Sequence, residues 1–157
     1  MKVRDESPVH LTAEALAAMK DKVERLKAAI PRLADEAKRT ADYGDRSENA
    51  EYKDAKGKLR GAHRQILSLQ DQIKRAVVIK SGSGAGGKIT LGSTVVLETG
   101  GRALTFRILG PHEADPDKGI ISDKSPLGAA LIGHKKGDEV KIAAGKSGIT
   151  YRVADIL

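Results

Sequence analysis

Cysteine and tryptophan are absent from this chain of 157 residues, and phenylalanine occurs only once. Without cysteine, the chain has neither disulfide bonds nor thiolate metal sites, which fits a reducing cell interior. So few aromatic side chains exclude a large aromatic core. No stretch approaches the roughly 20 apolar residues of a membrane-spanning helix, and residues 1–10 contain no apolar run typical of a signal peptide. We therefore expect a soluble, cytoplasmic protein with no membrane partner.

Basic side chains exceed acidic ones, 28 against 21, which gives a formal net charge of +7. Such an excess is usually solvated surface, but it also suits contact with the phosphates of RNA or DNA. Aromatic residues do not alternate with the lysines, so stacking on bases is not expected. A basic nucleic-acid-binding protein, whose binding to free RNA or DNA weakens with salt, therefore stays open as one hypothesis.

Two long stretches carry apolar residues at alternating steps of three and four, which is the seam pattern of paired helices. When the two seams are placed antiparallel, position 37 faces 52, 30 faces 59, 23 faces 66 and 16 faces 73. This register predicts a coiled-coil helical hairpin over residues 1–80, with its tip at 42–51. The seam positions are Leu16, Met19, Val23, Leu26, Ile30, Leu33 and Ala37, then Tyr52, Ala55, Leu59, Ala62, Ile66, Leu69, Ile73 and Ala76.

The first helix is predicted to start after Thr12, a good N-cap residue, and to run to about Asp42. Pro31 lies within this span but off the seam, which keeps its phase across the proline, so one bent helix is predicted. Gly57 and Gly61 lie off the seam of the second helix. Each should cost about 1 kcal/mol relative to alanine, and the sequence offers no reason for them.

Residues 81–87 form a Gly/Ser-rich linker by composition. The stretch contains G-x-G-x-x-G, but a strand pattern follows it, which excludes a dinucleotide site. Beyond it we predict strands at 93–99 and 104–109 around a Gly-Gly turn, one helix at 126–132, and strands at 139–143 and 150–156. The predicted fold class is α+β, with a small β-rich domain at 88–157 after the hairpin.

Acidic residues are concentrated at the predicted tip, in a chain that is otherwise basic. Asp42, Asp45, Glu48 and Glu51 stand there with Arg46 as their only basic neighbour. Carboxylates gathered at a projecting end suit a cation or a basic partner. Asp45 and Glu48 also have the spacing of a capping box at the start of the second helix. The two interpretations are compatible, because a cap also fixes where the carboxylates point.

The tip sequence Y-G-D-R-S-E-N-A-E-Y resembles that of the Gre family, the bacterial transcript-cleavage factors, whose usual pattern is G-D-L-[KS]-E-N-[AS]-E-Y. Leu11-Thr12, Pro31 and the segment 121–128, I-S-D-K-S-P-L-G, fit the same family, and the resemblance covers nearly the whole chain. It implies a C-terminal domain similar to FK506-binding proteins. Phe106 and Tyr151 are the only aromatics there, so prolyl isomerase activity is not expected.

The resemblance further implies a monomeric accessory factor of RNA polymerase rather than an enzyme. The hairpin would enter the secondary channel of the polymerase and stimulate the cleavage of backtracked RNA. No cofactor would be bound by the chain alone, and Mg²⁺ would be shared with the polymerase active site. By resemblance, the residues involved are Asp45 and Glu48 for the metal, Asn49 and Tyr52 beside them, Lys53 and Lys56 for the RNA 3′ end, and Ser122, Ser125 and Pro126 for docking on the channel rim.

Arg46 departs from the family pattern, because leucine is usual at that position. A positive charge between the two carboxylates leaves a second hypothesis open, in which the chain occupies the channel and inhibits the polymerase without stimulating cleavage.

Overall fold

The computed structural model describes residues 5–42 and 49–157. The chain divides into two compact units. Unit 1 comprises Met1–Ser7 and Leu16–Ala76, and unit 2 comprises Pro8–Ala15 and Val77–Leu157. No helix in the described ranges is both long enough and apolar enough to cross a membrane. The assignment of separate roles to residues 1–80, 81–87 and 88–157 stays a prediction.

Two long helices account for most of unit 1. Helix α1 spans Ala13–Ala41 and helix α2 spans Ala50–Lys74. Helix α1 runs through Pro31 without a break in its assignment, so one helix rather than two is confirmed. The predicted N-cap is also confirmed, because Thr12 Oγ1 accepts a hydrogen bond from Ala15 N at 3.2 Å.

The predicted seam is confirmed by burial. Every seam position from 16 to 37 and from 52 to 76 is buried or half-buried. The most buried of them are Val23, Leu33, Ala37, Ala55, Ala62 and Ile66. Apolar burial along this seam, at about 25 cal/mol per Å² removed from water, is the main force that can hold two such helices together.

Gly57 and Gly61 face open space in the structure. A Cβ added at either position would have no neighbouring heavy atom within 4 Å. We therefore expect Gly57→Ala to stabilise unit 1 by about 1 kcal/mol, since alanine costs less backbone entropy in a helix and meets no obstacle. Urea unfolding followed by circular dichroism would measure this, with Gly61→Ala as a parallel case. A loss of stability would show that the backbone at 57 needs the freedom of glycine.

A five-stranded sheet forms the larger part of unit 2. It contains β3 (Thr94–Thr99), β4 (Arg102–Leu109), β5 (Ile120–Ser122), β6 (Glu139–Ile142) and β7 (Ile149–Ile156). The strand order is β5-β4-β3-β7-β6, and only the β4–β5 pair is parallel. The predicted hairpin is confirmed, with Gly100 and Gly101 both at positive φ, as tight hairpin turns require.

Helix α3 (Pro126–Leu131) contributes to the core of unit 2. The core side chains are Ile89, Val95, Leu97, Ile108, Leu131, Val140 and Val153, and the half-buried Phe106 and Tyr151 pack against them. Two further strands, β1 (Val9–Leu11) and β2 (Ala76–Val78), form a small second sheet that the sequence did not predict. The α+β fold class, two long helices followed by a β-rich unit with one helix, is confirmed.

The Gly/Ser-rich stretch 81–87 lies within unit 2 and is hydrogen-bonded to the residues that follow it. The fully buried Ser93 donates its hydroxyl to the carbonyl of Gly82 at 2.8 Å and accepts from Thr90 N at 3.0 Å. Gly84 N donates to Lys88 O at 2.8 Å. Composition alone does not separate a flexible tether from a tightly turned segment of this kind.

Candidate functional site

The start of helix α2 is fixed by Asn49. Its backbone is extended, with φ −77° and ψ 102°, and its side-chain oxygen accepts a hydrogen bond from Tyr52 N at 3.0 Å. The carbonyl of Asn49 accepts the first bond of the helix, from Lys53 N at 3.1 Å. Asn49 is therefore the N-cap of α2. The prediction that Asp45 and Glu48 form its capping box is wrong, because α2 begins at Ala50.

The same side chain reaches the end of helix α1. Asn49 Nδ2 donates a hydrogen bond to the backbone carbonyl of Thr40, one residue before the last residue of α1. The Thr40 hydroxyl donates to Glu36 O at 2.8 Å, with Ala37 O at 3.1 Å. Carbonyls in the last turn of a helix lack intrahelical partners, so Asn49 satisfies a group that would otherwise depend on water.

These bonds bring the end of α1 and the start of α2 together, which makes the pair of helices a hairpin. Residues 43–48, which include Asp45, Arg46 and Glu48, lie outside the described residues. Their flanking residues are described, and the bond from Asn49 to Thr40 closes the chain on both sides of them. The predicted metal-binding pair therefore belongs to a short segment whose two ends are joined by one side chain.

Tyr52, Lys53 and Lys56 lie on the first two turns of α2. The half-buried Tyr52 occupies a seam position, and Lys56 Nζ lies 5.4 Å from the centre of its ring. At that distance the ammonium group is attracted to the face of the ring. Lys53 is exposed. Of the two lysines predicted to guide RNA, Lys53 is the more accessible and Lys56 is held against Tyr52.

Lys58 of helix α2 interacts with acidic residues further along the hairpin. The Asp54 carboxylate accepts a hydrogen bond from Lys58 and attracts its charge, which raises the pKa of Lys58, and Glu36 of α1 adds to this rise. The ion pair between Lys58 Nζ and Asp54 Oδ2 measures 2.7 Å and is exposed. Its net contribution to stability is therefore small.

The predicted docking segment is a tightly bonded turn between β5 and α3. Ser125 is the N-cap of α3. Its hydroxyl accepts from Gly128 N at 3.1 Å and donates to Ser122 O at 2.6 Å. The hydroxyl of Ser122 accepts from Lys124 N at 3.0 Å. Both serine hydroxyls thus have internal partners, while Lys124 and Pro126 at the surface of the turn are exposed.

Two sequence profiles of one family match this chain, one after the other. The profile of the N-terminal region of transcription elongation factors matches residues 9–78, and that of the C-terminal region of GreA/GreB matches residues 84–157. The chain belongs to the GreA/GreB family. This confirms the resemblance found in the tip sequence and in the segment 121–128.

Curated relatives of this GreA/GreB chain are named transcription elongation factor GreA. The protein of Desulfovibrio desulfuricans is 34% identical over 150 residues, covering 94% of this chain and 93% of the relative. That of Syntrophotalea carbinolica is 37% identical over 152 residues, covering 94% and 96%. A solved structure of GreA factor homolog 1 (Gfh1) of Thermus thermophilus is 30% identical, covers 96% of this chain and 99% of that one, and superposes with a TM-score of 0.42.

Among the described residues of this GreA/GreB chain, no group of three or more His, Asp or Glu side chains is arranged to hold a metal ion. Glu113, in the predicted loop beside His112, instead accepts bonds from Thr12 N at 2.8 Å and Thr12 Oγ1 at 2.6 Å.

Sequence reasoning missed two residues that shape these sites. Thr40 contributes a carbonyl, which no side-chain pattern reveals. Gly128 lies so close to Ser122 that an added Cβ would collide with the carbonyl oxygen of that serine. The serine-proline-x-glycine spacing of residues 125–128 was a signal for this second constraint.

Proposed function

We propose that this chain binds RNA polymerase and inserts the end of its helical hairpin into the secondary channel. There it would stimulate the intrinsic cleavage of backtracked RNA by the polymerase. Family membership supports this proposal, since relatives over almost the whole chain are named transcription elongation factors. In this role the chain acts in the cytoplasm as a monomeric accessory factor.

The observation that carries the proposal is the bridge from Asn49 to Thr40. It joins the two helix ends that flank residues 43–48, and Asp45 and Glu48 lie between these ends in the sequence. A pair of carboxylates in such a place can be brought into another protein's active site. Neither carboxylate is the N-cap of α2, so both are free of that role.

The donor set fits magnesium, which prefers carboxylate oxygens and commonly takes one or two of them from a protein. Asp45 and Glu48 would supply these oxygens, and the polymerase would supply the rest of the site. Held there by Asp45 and Glu48 as the second Mg²⁺ of the polymerase site, the ion would supply a bound water of lowered pKa for attack on an RNA phosphodiester. The chain's own part is to carry two negative charges to this place.

The other predicted residues take supporting roles in this proposal. Lys53 is exposed next to the tip and would attract the phosphates of the extruded RNA 3′ end. Residues 88–157 would dock on the channel rim through the turn around Ser122, Ser125 and Pro126. Because both serine hydroxyls are bonded within the turn, we propose that they shape it and that Lys124 and Pro126 make the contact.

A transcript-cleavage assay on a stalled, backtracked polymerase tests the proposal. RNA labelled at its 5′ end should shorten faster with the chain than without it, and the shortened RNA should be extended again when nucleotides are added. Arg46 favours a second candidate, a channel inhibitor, because its guanidinium can pair with the tip carboxylates. Slower RNA synthesis with no added cleavage would reject the first function and support the second.

Replacing Arg46 by leucine is expected to lower the magnesium concentration needed for half-maximal cleavage, by about threefold. The guanidinium competes with the cation for Asp45 or Glu48, and leucine removes this competition. A magnesium titration of the cleavage rate would measure the change, with Arg39→Leu on helix α1 as a control for loss of one positive charge. An unchanged or raised requirement would mean that Arg46 does not pair with the metal-binding carboxylates.

A further inference from the structure

We propose that Asn49 is a positioning residue for stimulated cleavage: its single carboxamide caps both helices of the hairpin and so joins the two helix ends that flank residues 43–48 in the sequence. This inference rests on the proposed function. Its structural half, the double cap, is carried by the hydrogen bonds alone: Tyr52 N to Asn49 Oδ1, and Asn49 Nδ2 to Thr40 O.

The orientation of the carboxamide follows from its two partners. A backbone N–H of Tyr52 can only donate, and a backbone carbonyl of Thr40 can only accept. The oxygen of Asn49 must therefore face α2 and its nitrogen must face α1. A flipped amide would place two donors against each other and two acceptors against each other, so the network admits one orientation.

Asparagine is the side chain that meets both demands at this position. Aspartate is an equally good N-cap but has no donor for the Thr40 carbonyl, serine has a single polar atom on a shorter side chain, and glutamine is one methylene longer. If capping α2 were the only requirement, several residues would serve. Asn49 adds the bond to Thr40, which joins the end of α1 to the start of α2.

Asn49→Asp separates the two caps. Aspartate keeps the acceptor for Tyr52 N and adds a favourable negative charge at the start of α2, but it has no donor for Thr40 O. Asn49→Ala removes both bonds. Ala50→Glu is the charge-matched control, because Ala50 is exposed on the first turn of α2 and the new carboxylate leaves both bonds in place.

Amide hydrogen exchange, measured on the full chain in the absence of the polymerase, tests the two caps. In Asn49→Asp, amides of residues 36–42 should exchange at least threefold faster, while those of residues 52–58 stay as in the unchanged chain. Asn49→Ala should lose protection in both regions and Ala50→Glu in neither. Unchanged exchange at 36–42 in Asn49→Asp would overturn the double cap.

The magnesium concentration that stimulated cleavage requires tests the positioning role of Asn49. An added negative charge by itself strengthens cation binding, so Ala50→Glu should need the same magnesium or less. Asn49→Asp should need at least fivefold more, although it carries the same charge, while its affinity for the polymerase stays within threefold.

Equal magnesium requirements in these two variants would overturn the positioning role even if the exchange data show the double cap. If the unchanged chain stimulates no cleavage, the proposed function fails together with the positioning of the metal-binding pair. The exchange experiment still decides whether Asn49 joins the helices. The two failures are therefore distinguishable.

Discussion

Replacing Asp45 by asparagine together with Glu48 by glutamine is expected to abolish stimulated cleavage and to leave the affinity for RNA polymerase within about threefold, less than 1 kcal/mol. The amides keep the size of both side chains and remove the charges that would hold the cation. Because Asn49 rather than Asp45 is the N-cap of α2, the double substitution leaves the start of this helix intact. Transcript cleavage and competition against the unchanged chain would measure the two effects.

The chain offers a matched control for this double substitution. Asp42 and Glu51 are exposed acids on either side of the segment 43–48, so Asp42→Asn with Glu51→Gln removes the same charge from the same end of the hairpin. We expect this variant to keep at least a third of the cleavage rate. Equal losses in both variants would show that total charge matters and that no particular pair holds the metal.

Gly128→Ala is expected to destabilise unit 2 by about 3 kcal/mol and to weaken polymerase binding at least tenfold. The added Cβ meets the carbonyl oxygen of Ser122, a backbone atom that can move only if the turn opens. That carbonyl also accepts the hydroxyl of Ser125, so the collision acts on the bond that shapes the proposed docking turn. Urea unfolding and a binding titration would follow the two effects.

Gly57→Ala serves as the control here, since the same substitution in open space is expected to raise stability. Opposite signs at 57 and 128 would show that contact, rather than the loss of glycine itself, decides the outcome. Full stability with weak binding in Gly128→Ala would place Gly128 at the polymerase interface instead. Full stability with full binding would mean that the turn adjusts without cost.

The sequence predicted the helical seam well, because apolar residues recur at the buried positions of every helical turn. It placed the start of α2 too early. Asp45 and Asn49 are both good N-cap residues, and spacing alone does not choose between them; the bond from Asn49 to Thr40 depends on the packing of two helices. Strands β1, β2 and β5 escaped prediction because three residues are too few to show an alternation.

The proposal about cleavage rests on the residues of the tip sequence and not on the periodicity of the apolar residues. Acid clustering around Asp45 and Glu48 indicated a cation or a basic partner, and only the resemblance supplied RNA polymerase. The resemblance also assigned Ser122 and Ser125 to docking on the channel rim, and that role stays a prediction. In the structure both hydroxyls bond within their own turn, which a sequence does not reveal.

Unit 2 is assembled from residues on both sides of the hairpin, and this sets the order of events on the ribosome. Residues 8–15 are made first, but Thr12 bonds to Glu113, which is 101 positions later. Both long helices leave the ribosome before this partner exists. Helix α1 must therefore form at first with the Thr12 hydroxyl as its cap and without Glu113, and unit 2 closes only after residue 113 has been made. Nascent chains that stop before Glu113 keep the hairpin sequence and lack this anchor.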